Sequence, residues 1–265
     1  MRIGIFDSGL GGLVVTAAIA RALPHHDLVY LGDTARVPYG DRSQEAIFRF
    51  TAAAVDELFV NLECGLIIVA CNTASSEALR RIQQEYLPAH YPNRRVLGVI
   101  IPTAESITGN GPVGVLATRS TVRSQAFPRE LEKLHPHLQV IQAAAPLLVP
   151  LIENDALKWA EPVVEEYVQP LKEAGITELI LGCTHYGLAK ALIEQHLPGV
   201  LILAQEDIIP DKLVSYLERH PEIANTLTQN GSRQYFVTDV LDHYGTLSAT
   251  LIGQPISFER IDLPV

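Results

Sequence analysis

Cys71 and Cys183 stand at matching points of two similar stretches, Ile67-Ile68-Val69-Ala70-Cys71-Asn72-Thr73 and Leu179-Ile180-Leu181-Gly182-Cys183-Thr184-His185. Each stretch is an apolar, strand-like run that ends in a cysteine followed by small polar residues. Free cysteine is among the most buried residue types, so a single strand-end thiol is ordinarily a packing residue. Two features favour chemistry here. The cysteines recur at a duplicated position, and the residues after them suit a helix N-terminus. Exposed N–H groups at such an end favour an anion, which lowers a neighbouring thiol's pKa and offers a seat for a substrate carboxylate. The reading is therefore a pair of reactive thiols facing one site. Cys64 has no counterpart and reads as a packing residue just before Gly65, at the expected end of a helix. A zinc centre made from Cys71, Cys183 and His185 is disfavoured, because the chain has no CxxC or HxxxH spacing and structural zinc normally takes four ligands. No metal is expected.

The elements that must position these thiols are legible as short apolar runs alternating with helical patterns, the signature of βα units wound into parallel sheets. The expected strands are Ile3 to Phe6, Leu28 to Leu31, Leu66 to Ala70, Val96 to Ile101, Val113 to Leu116, Leu138 to Ile141, Leu179 to Gly182 and Val200 to Leu203. Their near-continuous apolar character suits strands covered on both faces. Ile47, Phe50, Ala54, Leu58 and Leu62 recur at helical spacing and form one packing face, which Gly65 would end.

The runs also pair across the chain. Gly4-Ile5-Phe6-Asp7-Ser8 and Gly114-Val115-Leu116-Ala117-Thr118 are offset by 110 positions, and the two cysteines by 112. An internal duplication follows: an α/β protein of two pseudo-symmetric lobes, each a mainly parallel sheet flanked by helices. Residues 1–97 form the first lobe and 98–207 the second, with Pro102 and the Gly109-Asn110-Gly111-Pro112 turn near the crossing. Residues 208–265, with a strand at Tyr235 to Val237 and a helix at Asp239 to Leu251, pack back on the first lobe. Ligands of open parallel sheets sit beyond the carboxyl ends of the strands. Both thiols, Asp7, Asp33 and Thr118 lie there, so an inter-lobe cleft would collect them.

Composition narrows the function classes. A chain of 265 residues with 48% hydrophobic content can bury a large core, and no stretch approaches the roughly 18 apolar residues of a membrane helix. The first residues enter a strand-like run without a signal-peptide pattern, and three cysteines make no disulfide framework, so a cytoplasmic protein is expected. A net charge of −10 with no basic run argues against nucleic acid as substrate. Asp7-Ser8-Gly9-Leu10-Gly11-Gly12 follows the first strand and opens a helix, where its N–H groups can cradle an anion. It is neither GxGxxG, since Val14 holds the place of the third glycine, nor a Walker loop. It reads better as the place where Asp7 enters the cleft. Asp33 to Gly40 reads as a polar loop with an internal ion pair. His185, beside a candidate thiol, can exchange a proton near neutral pH. Glu153 alone reads as a first-turn carboxylate of a following helix.

Taken together, Phe6-Asp7-Ser8-Gly9-Leu10-Gly11-Gly12, Gly32-Asp33-Thr34-Ala35-Arg36 with Pro38-Tyr39-Gly40, Ala70-Cys71-Asn72-Thr73-Ala74, Val149-Pro150-Leu151-Ile152-Glu153 and Gly182-Cys183-Thr184-His185-Tyr186 resemble the bacterial glutamate racemases. The motifs occur in that family's order and spacing, from residue 3 to about 203. The resemblance implies a cofactor-independent racemase that interconverts L- and D-glutamate and supplies the D-enantiomer for peptidoglycan. Inverting a stereocentre by proton exchange needs a base on one face of the carbon and an acid on the other, which two facing thiols provide. By this resemblance Cys71 and Cys183 are the acid/base pair, Asp7 and His185 assist their neighbouring cysteines, and Glu153 lies near the second thiol. Asp7, Ser8, Tyr39, Gly40, Asn72, Thr73, Thr184 and His185 correspond to substrate-binding residues, with Thr118 and Thr121 added. Hydrogen bonds to the α-carboxylate would stabilise the carbanion-like transition state. No cofactor is expected, because a two-base scheme needs no electron sink.

The chain also departs from the family pattern. Gly187 follows Tyr186 where proline is common, Ala204-Gln205-Glu206-Asp207 replaces an Asp-Ser or Asp-Pro pair, and Ala145 stands where a cysteine usually precedes Pro146. Two alternatives stay open from sequence: a racemase of another acidic amino acid such as aspartate, and a binding or regulatory protein, since some glutamate racemases are associated with inhibition of DNA gyrase. No membrane partner is expected. A homodimer is compatible with the sequence, which leaves oligomeric state undecided.

Overall fold

Ten strands build two separate parallel sheets. In the computed structural model, which describes residues 1–264, they are β1 (Arg2–Asp7), β2 (Leu28–Gly32), β3 (Cys64–Val69), β4 (Arg95–Gly98), β5 (Val113–Ala117), β6 (Val140–Ala144), β7 (Glu178–Gly182), β8 (Leu201–Leu203), β9 (Arg233–Val237) and β10 (Glu259–Arg260). The first sheet has the order β10-β9-β2-β1-β3-β4 and the second β6-β5-β7-β8. The run β2-β1-β3-β4 repeats as β6-β5-β7-β8, the same topology twice. Thus β3, which leads into Cys71, and β7, which leads into Cys183, are equivalent strands.

The apolar runs form central strands because both faces are covered. On the first sheet, Ile3, Ile5, Leu66 and Ile68 pack toward one cluster while Phe6, Ile67 and Val69 pack toward another. The second sheet divides in the same way, with Leu179 and Leu181 on one side and Val113, Val115 and Ile180 on the other. Burying a Leu, Ile or Val side chain is worth about 1.5–3 kcal/mol, so these alternating faces hold the register. In that register Asp7 is paired with Gly32, Phe6 with Val69, and Ala117 with Gly182. The strand ends of each sheet therefore come level, and the residues that follow them emerge together.

Helices then fix the orientation of those ends. Ser43 caps helix Gln44–Val60 by accepting from Ala46 N, and Thr118 caps helix Arg119–Ser124 by accepting from Thr121 N. Helix Gln205–Arg219 leaves β8 of the second sheet, yet its Ile209, Leu213 and Leu217 join the cluster that holds Leu13 and Val15 of helix Gly12–Ala22. The two sheets are thus joined by shared packing as well as by the chain crossing. Among the described residues, no helix is long and apolar enough to cross a membrane.

Several expected boundaries differ. The run 96–101 is a strand only to Gly98, after which Ile100–Ala104 is helical. The run 138–141 forms its strand two residues later, at Val140–Ala144. Gly65 does not end a helix: helix Gln44–Val60 stops earlier, Glu63 takes the left-handed backbone conformation (φ 50°), and Cys64 and Gly65 open β3. The C-terminal helix is Tyr244–Ile252, and β9 pairs with β2, with the short β10 beyond it.

Candidate active site

Cys71 is the N-cap of helix Asn72–Glu77, where its Sγ accepts from Ala74 N at 3.4 Å. Ser8, delivered by the turn after β1, places its Oγ 3.3 Å from the same sulfur. These partners are local consequences of parallel pairing, because β1 and β3 are neighbours and end level. Burial nevertheless dominates: it pushes the Cys71 thiol up to about 12, with the Asp7 carboxylate acting in the same direction. At neutral pH Cys71 is a thiol.

The second sulfur has a different environment. His185 Nδ1 lies 3.8 Å from Cys183 Sγ, and His185 Nε2 lies 3.0 Å from Glu153 Oε1. Burial disfavours a charged imidazole, yet the hydrogen bonds to Cys183 and Glu153 outweigh it and push His185 up to about 10. At neutral pH His185 is an imidazolium that donates toward both partners. Glu153 is the last residue of helix Leu148–Glu153, not a first-turn carboxylate of the next helix. Its carboxylate reaches the imidazole at the helix end, a contact that spacing along the chain does not reveal.

Both cysteines line one cavity of about 300 Å³ between the sheets, together with Ser8, Tyr39, Gly40, Asn72, Thr73, Thr118, Glu153, Thr184 and His185. Val37, Pro38, Pro146, Val149 and Pro150 supply an apolar wall. Thr73, Thr118 and Thr121 bridge the lobes through their hydroxyls, with Thr73 to Thr118 and Thr118 to Thr121 each 3.0 Å.

Two expected binding residues do not line the cavity. Thr121 is wholly buried behind Thr118. Asp7 is also buried: its Oδ2 accepts from Gly9 N at 3.0 Å and its Oδ1 from the Thr184 hydroxyl at 3.4 Å, so it ties the loop after β1 to the other lobe. Burial raises the Asp7 pKa, opposed by the nearby imidazolium of His185. Asp33 turns away from the cleft as well. It takes the expected ion pair with Arg36 at 2.7 Å, and accepts from Tyr39 and Thr238 hydroxyls, which holds the Tyr39 loop over the cavity.

Other residues had no signal in the sequence. Tyr30 lies inside β2 and looks like core, yet its hydroxyl donates to Gly9 O at 2.5 Å and braces the loop that carries Ser8. Gln205, noted only as a departure from the family pattern, pairs with Asn72.

Two sheets of like topology thus present one thiol each to a shared cavity. The Asp/Glu/Hydantoin racemase family model matches residues 11–207. A glutamate racemase of Sulfurihydrogenibium sp. is 40% identical, over 99% of this chain and 98% of its own length. Among solved structures, a glutamate racemase isoform of Bacillus anthracis superposes with a TM-score of 0.90 at 32% identity, over 100% of this chain and 98% of its own. The Francisella tularensis glutamate racemase in complex with D-glutamate gives 0.88 at 30% identity, over 98% and 97%. The chain belongs to the Asp/Glu/Hydantoin racemase family.

Proposed function

We propose that Cys71 and Cys183 are the two acid/base groups of this enzyme, working from opposite sides of the substrate Cα. The reaction is the interconversion of L- and D-glutamate, and its product serves peptidoglycan precursor synthesis. Full-length similarity to glutamate racemases favours this substrate over aspartate, and favours catalysis over a purely binding role. The observation that carries the two-thiol reading is the single cavity lined by both sulfurs.

In each turnover a thiolate on one side takes the Cα proton, breaking the C–H bond and leaving the electron pair shared with the α-carboxylate. The thiol on the other side then gives its proton to Cα, and the two sulfurs have exchanged states. Burial beside Asp7 favours the thiol at Cys71, which is its starting state in the direction in which Cys183 takes the proton; in the reverse direction the roles exchange. His185, an imidazolium held by Glu153, is the proton donor toward Cys183 and the counter-charge beside it. N–H groups of the helix that starts at Asn72, with the hydroxyls of Ser8, Thr73, Thr118 and Thr184, surround the cavity where charge builds on the α-carboxylate. Asp7 supports this arrangement as a tie between the Ser8 loop and Thr184. Residues 1–97 with 208–265, and residues 98–207, act as the two jaws.

The test is incubation with each glutamate enantiomer in D2O, following optical rotation and loss of the α-proton together. Deuterium is expected at Cα of every molecule of inverted product. Inversion with retention of the original proton would overturn the two-base scheme.

A second measurement addresses the imidazole. His185 loses its charge as pH rises through about 10. Glu153→Gln removes one of the groups that raise that value, so the alkaline limb of kcat is expected to move about one unit to lower pH, with kcat reduced about fivefold at pH 10. A pH–rate profile superimposable on that of the parent would exclude this role for Glu153.

A further inference from the structure

Two of the departures from the family pattern meet behind the catalytic cavity. A Cβ on residue 187 would lie 1.9 Å from Glu206 Oε1, so Glu206 occupies space that only a glycine at 187 leaves open. The residue before Glu206 is Gln205, which opens helix Gln205–Arg219 and is 1% exposed. Its carboxamide forms a reciprocal pair with Asn72, itself 2% exposed: Asn72 Nδ2 donates to Gln205 Oε1 at 2.7 Å, and Gln205 Nε2 donates to Asn72 Oδ1 at 2.5 Å.

The two residues are 133 positions apart and belong to different lobes. Asn72 follows β3 and begins the helix that Cys71 caps, while Gln205 follows β8, two strands' breadth from β5 in the second sheet. Buried amides leave no water to replace either bond, so losing the pair strands a donor and an acceptor on each side. The other polar contacts that this helix makes with the second lobe run through hydroxyls, Thr73 to Thr118 at 3.0 Å and to Thr121 at 3.5 Å, and at its far end Ser120 donates to Glu77 at 2.8 Å; near Cys183, the Thr184 hydroxyl donates to Asp7 at 3.4 Å. The amide pair differs from these in joining one residue to one residue by two antiparallel bonds, which fixes orientation as well as distance at the first residue of helix Asn72–Glu77. The pair consumes one donor and one acceptor of Asn72 and leaves one of each for the cavity it lines.

We propose that Gln205 is a positioning residue for racemisation: through its amide pair with Asn72 it holds the Cys71 turn of the first lobe at a set distance and angle from the lobe that carries Cys183. The proposal rests on the two-thiol racemase reading. Gln205 does not touch substrate. It keeps both sulfurs on the axis of one Cα, and a displacement of about 1 Å in such a geometry costs on the order of 100-fold in rate.

The experiment is a double-mutant cycle of Asn72→Ala and Gln205→Ala, with Gln205→Glu as a separate probe. Each protein is checked by circular dichroism and assayed for kcat and KM with L-glutamate. Gln205→Ala is expected to lower kcat about 10- to 100-fold while KM changes less than about threefold. In the Asn72→Ala background the same change is expected to cost no more than about twofold, because the partner is already gone. In the Gln205→Glu protein, the introduced carboxyl group when ionised sets one of its oxygens against Asn72 Oδ1, acceptor to acceptor, whereas its protonated form restores both bonds. The activity of Gln205→Glu relative to the parent is therefore expected to rise about fivefold or more between pH 9 and pH 6.

Full multiplication of the two alanine losses overturns the proposal, as does a Gln205→Ala enzyme within about twofold of the parent. If Gln205→Ala fails to fold, Gln205→Glu decides, and a relative activity flat with pH overturns it. A parent protein that leaves the optical rotation of glutamate unchanged overturns the racemase reading first, and this proposal with it.

Discussion

Serine at position 71 or 183 is expected to lower kcat for glutamate racemisation about 1,000-fold or more in both directions, with the melting temperature within about 3 °C of the parent. An alcohol is a far weaker acid than a thiol, so serine can neither hold the anionic state that takes the Cα proton nor return a proton readily. The fold gives little reason for collateral damage. Position 71 is a helix N-cap whose sulfur already accepts from Ala74 N, and serine is a preferred residue there. Position 183 keeps its His185 neighbour, which can bond a hydroxyl as it does the sulfur. Because each turnover passes through both sulfurs, the double variant is expected to be no slower than the worse single one. Polarimetry with scanning calorimetry on the same preparations is the check. A serine variant that keeps more than about a tenth of the parental kcat would remove that sulfur from the mechanism.

Alanine at position 11 is expected to cost about 100-fold in kcat although it adds one methyl group and lies outside the pair of thiols. The backbone there is ordinary right-handed helix, φ −58° and ψ −34°, so alanine meets no conformational strain. Space is the obstacle. A Cβ on residue 11 would sit 2.4 Å from His185 Nδ1 and 2.5 Å from Thr184 Oγ1. Neither neighbour can swing away cheaply: His185 is fastened to Glu153, Thr184 to Asp7, and both are buried. Either the imidazole leaves Cys183 or the lobes part by a fraction of an ångström to an ångström. The substitution therefore tests lobe spacing through contacts other than the Asn72–Gln205 pair. The expected signature is a lost kcat in a protein that unfolds cooperatively near the parental temperature, and activity within about threefold of the parent would show that the lobes have slack.

How much of this is legible in the chain depends on how local each cause is. The apolar runs name the central strands, because a strand buried on both faces must be apolar throughout. The echo of residues 67–73 in 179–185 names the equivalent strands and so the equivalent thiols, and the structure repeats the strand order around them. Boundaries are less legible. The run 96–101 holds both the end of β4 and the start of a helix, since a short apolar segment suits either. Gly65 looks like a helix stop, but Glu63 adopts the left-handed turn first.

Asp7 and Thr121 lie buried behind the cavity lining, because a strand-end position does not say whether a side chain meets the cavity or the layer behind it. The sequence alone determines that two thiols stand at the carboxyl ends of two duplicated strands, because a covalent chain and a period of buried residues dictate both. The tertiary structure alone decides that Glu153 meets His185, that Gly11 lies against them, and that Asn72 is clasped by Gln205. Those contacts join residues 32 to 174 positions apart, the first within the second lobe and the other two between the lobes. Their partners are chosen by how a helix packs on its own sheet in the first case and by how the two lobes dock in the others, and no spacing within either segment encodes that.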